Sequence, residues 1–154
     1  MSFYGPANFE PDRSIGYLIR LINQAANTRL DPAVASAGVS YSQWQVLVSI
    51  FFSRGLSCAA LARDLAHDKG AMTRLVDGLE QRGLVRRERN AEDRRVVDLV
   101  LTEAGTDVVK RGKARAIDCW NGWLQDWDGA EVETLIAQLQ RLRRTIEAAP
   151  ERCA

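Results

Sequence analysis

The sequence predicts a mainly α-helical fold with one small antiparallel β-hairpin. Three observations carry that expectation. Apolar residues recur at three- and four-residue spacing through most of the 154 positions. The period changes to two in one place, between Leu84 and Leu101, around the polar tip Asn90-Ala91-Glu92-Asp93-Arg94-Arg95. Just before it, two short helical patterns meet at a tight turn between Leu61 and Gln81. Helix, turn, helix and then hairpin make a winged helix-turn-helix, here flanked by long amphipathic helices at both ends.

Each element has its own justification. The first dozen residues read as an extended arm, and helix one begins near Asp12 to Ser14. It carries Ile15, Leu18, Ile19 and Ile22 on one face, and Pro32 is expected to kink or restart it. Ser40 with Gln43 forms a capping box for helix two, whose stripe is Trp44, Leu47, Val48 and Phe51. Ser57 caps helix three, with Leu61, Ala62 and Leu65 inward. Asp68 caps helix four, where Met72, Leu75, Val76 and Leu79 fall at i, i+3, i+4 and i+7. Gly83 supplies a left-handed stop.

Leu84 to Arg89 then reads as a strand bearing Arg86, Arg87 and Arg89. Val97, Leu99 and Leu101 alternate with Val96, Asp98 and Val100, the period of a strand with one buried face. Thr102 opens helix five, with Val109, Gly112, Ala116, Ile117, Trp120, Trp123, Leu124 and Trp127 on one face. Asp128 and Glu131 form a second capping box, and Val132, Leu135, Ile136, Leu139, Leu142 and Ile146 line helix six. The three tryptophans of helix five and its end read as core and dimer contacts rather than a ligand box.

The side of helix four opposite its apolar stripe shows Lys69, Gly70, Ala71, Thr73, Arg74 and Asp77. Small residues there permit close approach to a base edge, and Lys69, Thr73 and Arg74 supply donors for bases or phosphates. Arg94 and Arg95 stand at the return of the hairpin. Asp93 is expected to brace the wing arginines, because a carboxylate near phosphate is repelled. The net charge is only +1, yet Lys69 to Arg95 holds eight Lys/Arg against five Asp/Glu. The positive excess sits where groove contact is expected.

Other classes are disfavoured. There is no G-x-G-x-x-G, P-loop, H-E-x-x-H or G-x-S-x-G, so neither catalytic residues nor a cofactor are expected. The single histidine, His67, reads as a satisfied polar residue of the turn rather than a metal ligand or pH sensor. Cys58, Cys119 and Cys153 are widely spaced and odd in number, which suits neither a disulfide framework nor a metal set. The start, MSFYGPANFEPD, has no basic n-region or apolar h-region. The longest nearly apolar run, Val46 to Phe52, is far short of the ~20 residues that span a membrane. The expected setting is a reduced cytoplasm, without membrane contact.

Three segments resemble the MarR family of bacterial transcriptional regulators. Asp93 to Thr102 is similar to its wing signature D-x-R-x-x-x-L-x-L-T, and Asp68 to Asp77 to its recognition-helix segment D-x-G-A-L-T-R-h-h-D, with h apolar. Val39 to Leu47 resembles its helix-two opening, L-T-x-x-Q-F/W-x-x-L. The order of elements agrees from about Ser14 to Glu147. The resemblance implies one MarR-like domain over 1–154, with a DNA-binding winged unit at about 40–101 and dimerisation helices at 12–38 and 102–148. It implies a triangular homodimer on a palindromic operator, with Arg95 at the minor-groove position. The unspent apolar stripes of the terminal helices point to the same dimer, since a small winged unit offers too little surface to cover them.

Members of the family commonly release DNA when a small aromatic acid or phenol binds. Tyr17, Arg20, Trp44 and Phe51 are the candidate lining here, although the same residues would serve equally as core. Two alternatives stand beside the ligand-released repressor. One is a thiol-based redox sensor using Cys58, which opens a helix; the peroxide-sensing branch carries its cysteine in helix one, where this chain has none. The other is a winged-helix protein-interaction module with no operator of its own.

Overall fold

The computed structural model describes residues 3–53, 56–90, 93 and 95–150. Its helices are α1 (Ile15–Ala35), α2 (Tyr41–Phe52), α3 (Cys58–Asp64), α4 (Lys69–Gln81), α5 (Glu103–Trp123) and α6 (Gly129–Glu147). Between α4 and α5 lie strands β1 (Val85–Arg89) and β2 (Val97–Leu101). The mainly helical fold with one small hairpin is therefore the observed one. By packing the chain divides into two units, one ending at Ala116 and one beginning at Ile117.

In the first unit, a short 3-10 turn at Pro11–Arg13 leads into α1. The Tyr4 hydroxyl bridges this entry, donating to the Arg13 carbonyl and accepting from the Ile15 N–H, each at 3.0 Å. Ser14 caps α1 by accepting from the Tyr17 N–H. The helix runs on through Pro32 to Ala35, so it is not restarted there. Only its second half is buried, at Leu30 and Val34, whereas Ile15, Leu18, Ile19 and Ile22 are exposed. Gly38, at φ +88°, turns the chain into α2, and the Ser40–Gln43 capping box forms as expected.

Helix α2 buries Trp44, Val46, Leu47 and Ile50. Phe51, placed in the stripe by periodicity, lies outside that face and is exposed. Ser57 caps α3 by accepting from the Ala60 N–H, and Leu61 and Ala62 point inward. The turn into α4 closes with His67 N–H on the Ala62 carbonyl and Ala66 N–H on the Arg63 carbonyl. These bonds form a Schellman stop, with Ala66 at φ +51° in the left-handed position where glycine is usual.

Helix α4 inserts Met72, Val76 and Leu79 into the core with no measurable exposure. Burial of side chains this size contributes about 1.5–3 kcal/mol each. The helix ends at Gly83, φ +68°, with Leu84 N–H on the Leu79 carbonyl and Gly83 N–H on the Glu80 carbonyl. The antiparallel hairpin that follows pairs Val85 with Leu101 and Arg89 with Val97. On it Val85 and Leu99 are buried and Val97 is exposed, so the inward face of β2 is shorter than its alternation implied. Leu99 also donates to the Leu56 carbonyl at 2.9 Å, tying β2 to the entry of α3.

Thr102 starts α5: its hydroxyl donates to the Gly83 carbonyl at 2.6 Å and accepts from the Gly105 N–H at 3.0 Å. Two glycines let α5 lie close to the winged unit. A Cβ at Gly105 would run into the Leu84 carbonyl, and one at Gly112 into the Trp44 indole.

The second unit holds the last turns of α5 and all of α6. Trp120 and Trp123 meet edge to face at 5.0 Å. Asp128 and Glu131 form the expected capping box of α6. The described residues of α6 include none that is buried, and Trp120, Trp127, Leu135, Ile136, Leu139 and Ile146 are exposed. No helix among the described residues is long and apolar enough to cross a membrane.

Candidate nucleic-acid interface

The first turn of α4 is exposed on its outer side and firmly capped. At the start of α4 the Asp68 carboxylate accepts from the Gly70 N–H at 2.9 Å and the Ala71 N–H at 3.0 Å. Those bonds, that of Ala71 first, hold the Asp68 carboxyl below the usual carboxylate range. The cap fixes the first turn of the helix in which the candidate contacts stand. Lys69, Thr73 and Arg74 are exposed, and Ala71 is half-buried between them and the core. The Thr73 hydroxyl donates to the Lys69 carbonyl at 2.9 Å, which leaves its lone pairs outward as acceptors. Cys58 Sγ lies 3.8 Å from the same hydroxyl.

The hairpin turn is held from within. Asn90 Oδ1 accepts from the Asp93 N–H, and the Asp93 carboxylate from the Arg95 N–H, both at 2.9 Å. Asp93 thus braces the backbone of Arg95, whose side chain is left exposed. Asn90 Nδ2 also donates to Asp98 Oδ2 at 2.7 Å, fastening the turn to β2. Arg94 lies outside the described residues, as does Cys153.

Two arginines hold positions that periodicity did not mark. Arg87, on β1, grips both Asp77 and Glu80 of α4 with its guanidinium. Its pKa is raised above the usual arginine value, chiefly by the bond to Asp77. Arg82, at the end of α4, donates to the Gly38 carbonyl at 2.5 Å and to Gln43 Oε1 at 3.2 Å, joining α4 to the turn between α1 and α2. The signal for Arg87 was present as the acidic pair at i and i+3 on α4, but linear spacing does not show which arginine answers it. Arg86 is paired within its own strand to Glu88 at 2.5 Å.

The chain is similar to known proteins over this region. The MarR family model matches residues 39–97, the span from the turn before α2 through the start of β2. The multiple antibiotic resistance protein MarR of Escherichia coli is 31% identical over 97 residues, covering 63% of this chain and 67% of that protein. The chain belongs to the MarR family.

Other MarR-like regulators align over more of its length. The transcriptional repressor MdtR of Bacillus subtilis is 28% identical over 136 residues, 84% of this chain and 88% of that one. Among solved structures, the transcriptional regulator PA3341 superposes with a TM-score of 0.79 at 30% identity, covering 88% of this chain and all of its own. As a MarR-family regulator, the chain acts in transcription and not as an enzyme. Its helix-turn-helix is α3 and α4, and its wing is β1 and β2.

The four residues considered for an effector pocket fall into separate settings. The Arg20 guanidinium sits 4.8 Å from the centre of the Tyr17 ring on the exposed half of α1. Trp44 is buried, beside Tyr41 at 5.8 Å. Phe51 lines an open cleft of about 280 Å³ with Ile50, Ser53, Leu99, Leu101 and Thr106. Tyr17, Arg20 and Trp44 are not among the residues lining that cleft.

Proposed function

We propose that this regulator is a homodimeric repressor acting in the cytoplasm, which reads a palindromic operator and is released by a small aromatic ligand. In this reading α4 enters the major groove, with Lys69, Ala71, Thr73 and Arg74 at the bases and phosphates, and the wing carries Arg94 and Arg95 to the neighbouring minor groove. The observation that carries it is the pairing of a capped, cation-bearing first turn of α4 with a wing turn braced beneath an exposed Arg95. The whole chain then works as one domain, about 40–101 contacting DNA and 12–38 and 102–148 joining two copies. The exposed apolar faces of α1 and α6 support that pairing, since faces of this kind are rarely left to water. A two-fold dimer would set two recognition helices one DNA turn apart, ~34 Å.

The decisive experiment is selection of bound duplexes from a random pool, followed by titration at several salt concentrations. A palindrome whose half-sites lie about one turn apart is expected, with log affinity falling linearly in log salt. On that operator Arg95→Ala should cost ~1–3 kcal/mol, most where A·T pairs narrow the minor groove. Lys69→Ala and Arg74→Ala should weaken binding while the circular dichroism stays unchanged. Absence of any selected sequence would sink the DNA reading, and a folded monomer in sedimentation at micromolar concentration would sink the dimer.

Release by an aromatic acid or phenol is supported by the Phe51-lined cleft between α2, β2 and α5, elements whose spacing governs the wing. A ligand preferring a DNA-incompetent arrangement by ~3 kcal/mol shifts the population a hundredfold or more. Titration with salicylate-like compounds should quench tryptophan fluorescence in step with operator release. A broad panel that moves neither signal would refute the aromatic effector.

A further inference from the structure

The wing and the recognition helix are joined in sequence only by a short turn through Gly83, whose φ of +68° marks a position without side-chain restraint. A hairpin leaving such a turn needs a second tether if its tip is to stay at one distance from α4. Arg87 supplies it. Its Nη2 donates to Asp77 Oδ1 at 2.7 Å and its Nη1 to Glu80 Oε2, so one planar fork spans successive turns of α4. Its side chain is about one-third exposed (32%), against 57% for Arg86, which only pairs along its own strand. The rigid five-donor geometry of guanidinium suits this double grip, and a lysine ammonium would reproduce only part of it.

We infer that Arg87 is a positioning residue for DNA recognition, clamping β1 to α4 so that the helix and the wing engage the two grooves of one half-site together. The inference rests on the groove assignments proposed above. Its physical content is preorganisation: a hairpin already held at the working distance loses less freedom on binding than one that must be captured by DNA. Asp77 and Glu80 then have a role that offsets their cost on a DNA-binding helix. They place negative charge near phosphate, and the clamp is what they supply in return.

The sign of one substitution separates this role from the alternatives. Deleting a carboxylate beside a polyanion ordinarily tightens binding. Under the clamp, Asp77→Asn weakens specific binding instead, as does Arg87→Ala, each by about tenfold on the operator selected by the wild-type protein. In either background the further loss from Arg95→Ala is smaller than in the wild type, because the wing is no longer held in place. Arg87→Lys falls between wild type and Arg87→Ala. The DNA-free protein is checked by circular dichroism and melting, so that affinities are compared at a temperature where every variant is folded.

Several results would overturn the clamp. Tighter binding by Asp77→Asn, with Arg87→Ala lowering the salt slope by about one per half-site, would make Arg87 a phosphate contact. Melting points that fall while affinities and the Arg95→Ala penalty stay unchanged would make the ion pairs merely structural. Strictly additive losses from Arg87→Ala and Arg95→Ala would likewise remove the coupling. A wild-type protein that selects no sequence at all would remove the groove assignments and the clamp with them. Selective DNA binding with unaltered variants would remove the clamp alone.

Discussion

Helices α4 and α6 have the same kind of sequence and different fates. Both are amphipathic, both begin at an aspartate cap, and both carry an apolar stripe at three- and four-residue spacing. In α4 the stripe vanishes from solvent at Met72, Val76 and Leu79, whereas in α6 Leu135, Ile136 and Leu139 are each more than 40% exposed. The difference is not in the helices but in what surrounds them. Helix α4 has α2, α3 and the hairpin to pack on, and every buried apolar side chain among the described residues lies between Leu30 and Ala116. An amphipathic pattern therefore tells which face must be covered, and is silent on whether the same chain covers it.

The sharpest way to break that comparison is to truncate one leucine from each stripe. Leu79→Ala should destabilise the protein by about 2–5 kcal/mol, the usual cost of a cavity in a packed core, and by the same amount at every protein concentration. Leu139→Ala creates no internal cavity in a single chain, so its penalty should appear only as weaker association. In melting experiments over a hundredfold range of concentration, the Leu79 variant should shift the whole series downward. The Leu139 variant should steepen its concentration dependence. Equal, concentration-independent losses would show that α6 is covered by its own chain.

A second contrast lies within α5. Glycine in a helix interior ordinarily costs about 1 kcal/mol relative to alanine, so replacement should help wherever space allows. Nothing lies within 4 Å of the Cβ position at Gly122, and Gly122→Ala should gain about that amount. At Gly105 the new methyl would meet the backbone carbonyl of Leu84, and at Gly112 the buried Trp44 ring. Neither neighbour can step aside, so both substitutions should lose ~1–3 kcal/mol to overpacking despite the better helix former. Stabilisation at either position would mean that α5 stands farther from the winged unit than the structure has it.

These examples also mark what linear sequence made legible. The caps at Ser40, Ser57, Asp68 and Asp128, the stop at Gly83 and the existence of the hairpin depend on a few neighbouring residues, and each is visible in its own short window. The stripe of α4 was readable because most of its period-3.6 apolar positions, Met72, Val76 and Leu79, are fully buried in this chain. Phe51 and Val97 were misassigned because periodicity assigns a face without showing where the partner element ends. Pro32 was expected to kink or restart α1, yet it falls in the last turn of a helix that continues to Ala35, where little of the helix remains to be disrupted. The Arg87 and Arg82 ties were not legible for another reason: each crosses from one element to another, and no local pattern says which partner answers.

A smaller test concerns the turn of the helix-turn-helix. Ala66 holds the left-handed position of the α3 stop, where an L side chain costs ~1–2 kcal/mol and glycine costs only its extra freedom when unfolded. Ala66→Gly should therefore raise stability by up to about 1 kcal/mol, although glycine usually weakens a chain. The contrasting Gly83→Ala should lose a similar amount, since its φ of +68° is already in glycine's hands. A destabilised Ala66→Gly variant would show that the methyl group packs against something that outweighs the backbone relief.

The smallest effect expected is that of acid on the α4 cap, and its sign follows from the pKa. The N–H groups of Ala71 and Gly70 favour the ionised Asp68 carboxylate and depress its pKa below the unfolded value. A depressed carboxyl contributes stability that is complete above the unfolded pKa, ~3.9, and is lost as pH falls through the lower folded value. The first turn of α4 should therefore loosen only in acid below about pH 4, and the cap should be fully formed at neutral pH. Asp68→Asn separates charge from hydrogen bonding, because asparagine remains a good N-cap but does not titrate in this range. Amide exchange at Gly70 and Ala71 should accelerate in acid for the wild type beyond the intrinsic pH dependence of exchange. In the asparagine variant that excess should disappear. The same excess in both proteins would assign the loosening to another carboxylate, with the Asp77–Arg87–Glu80 cluster of the opposite end of α4 the next to replace.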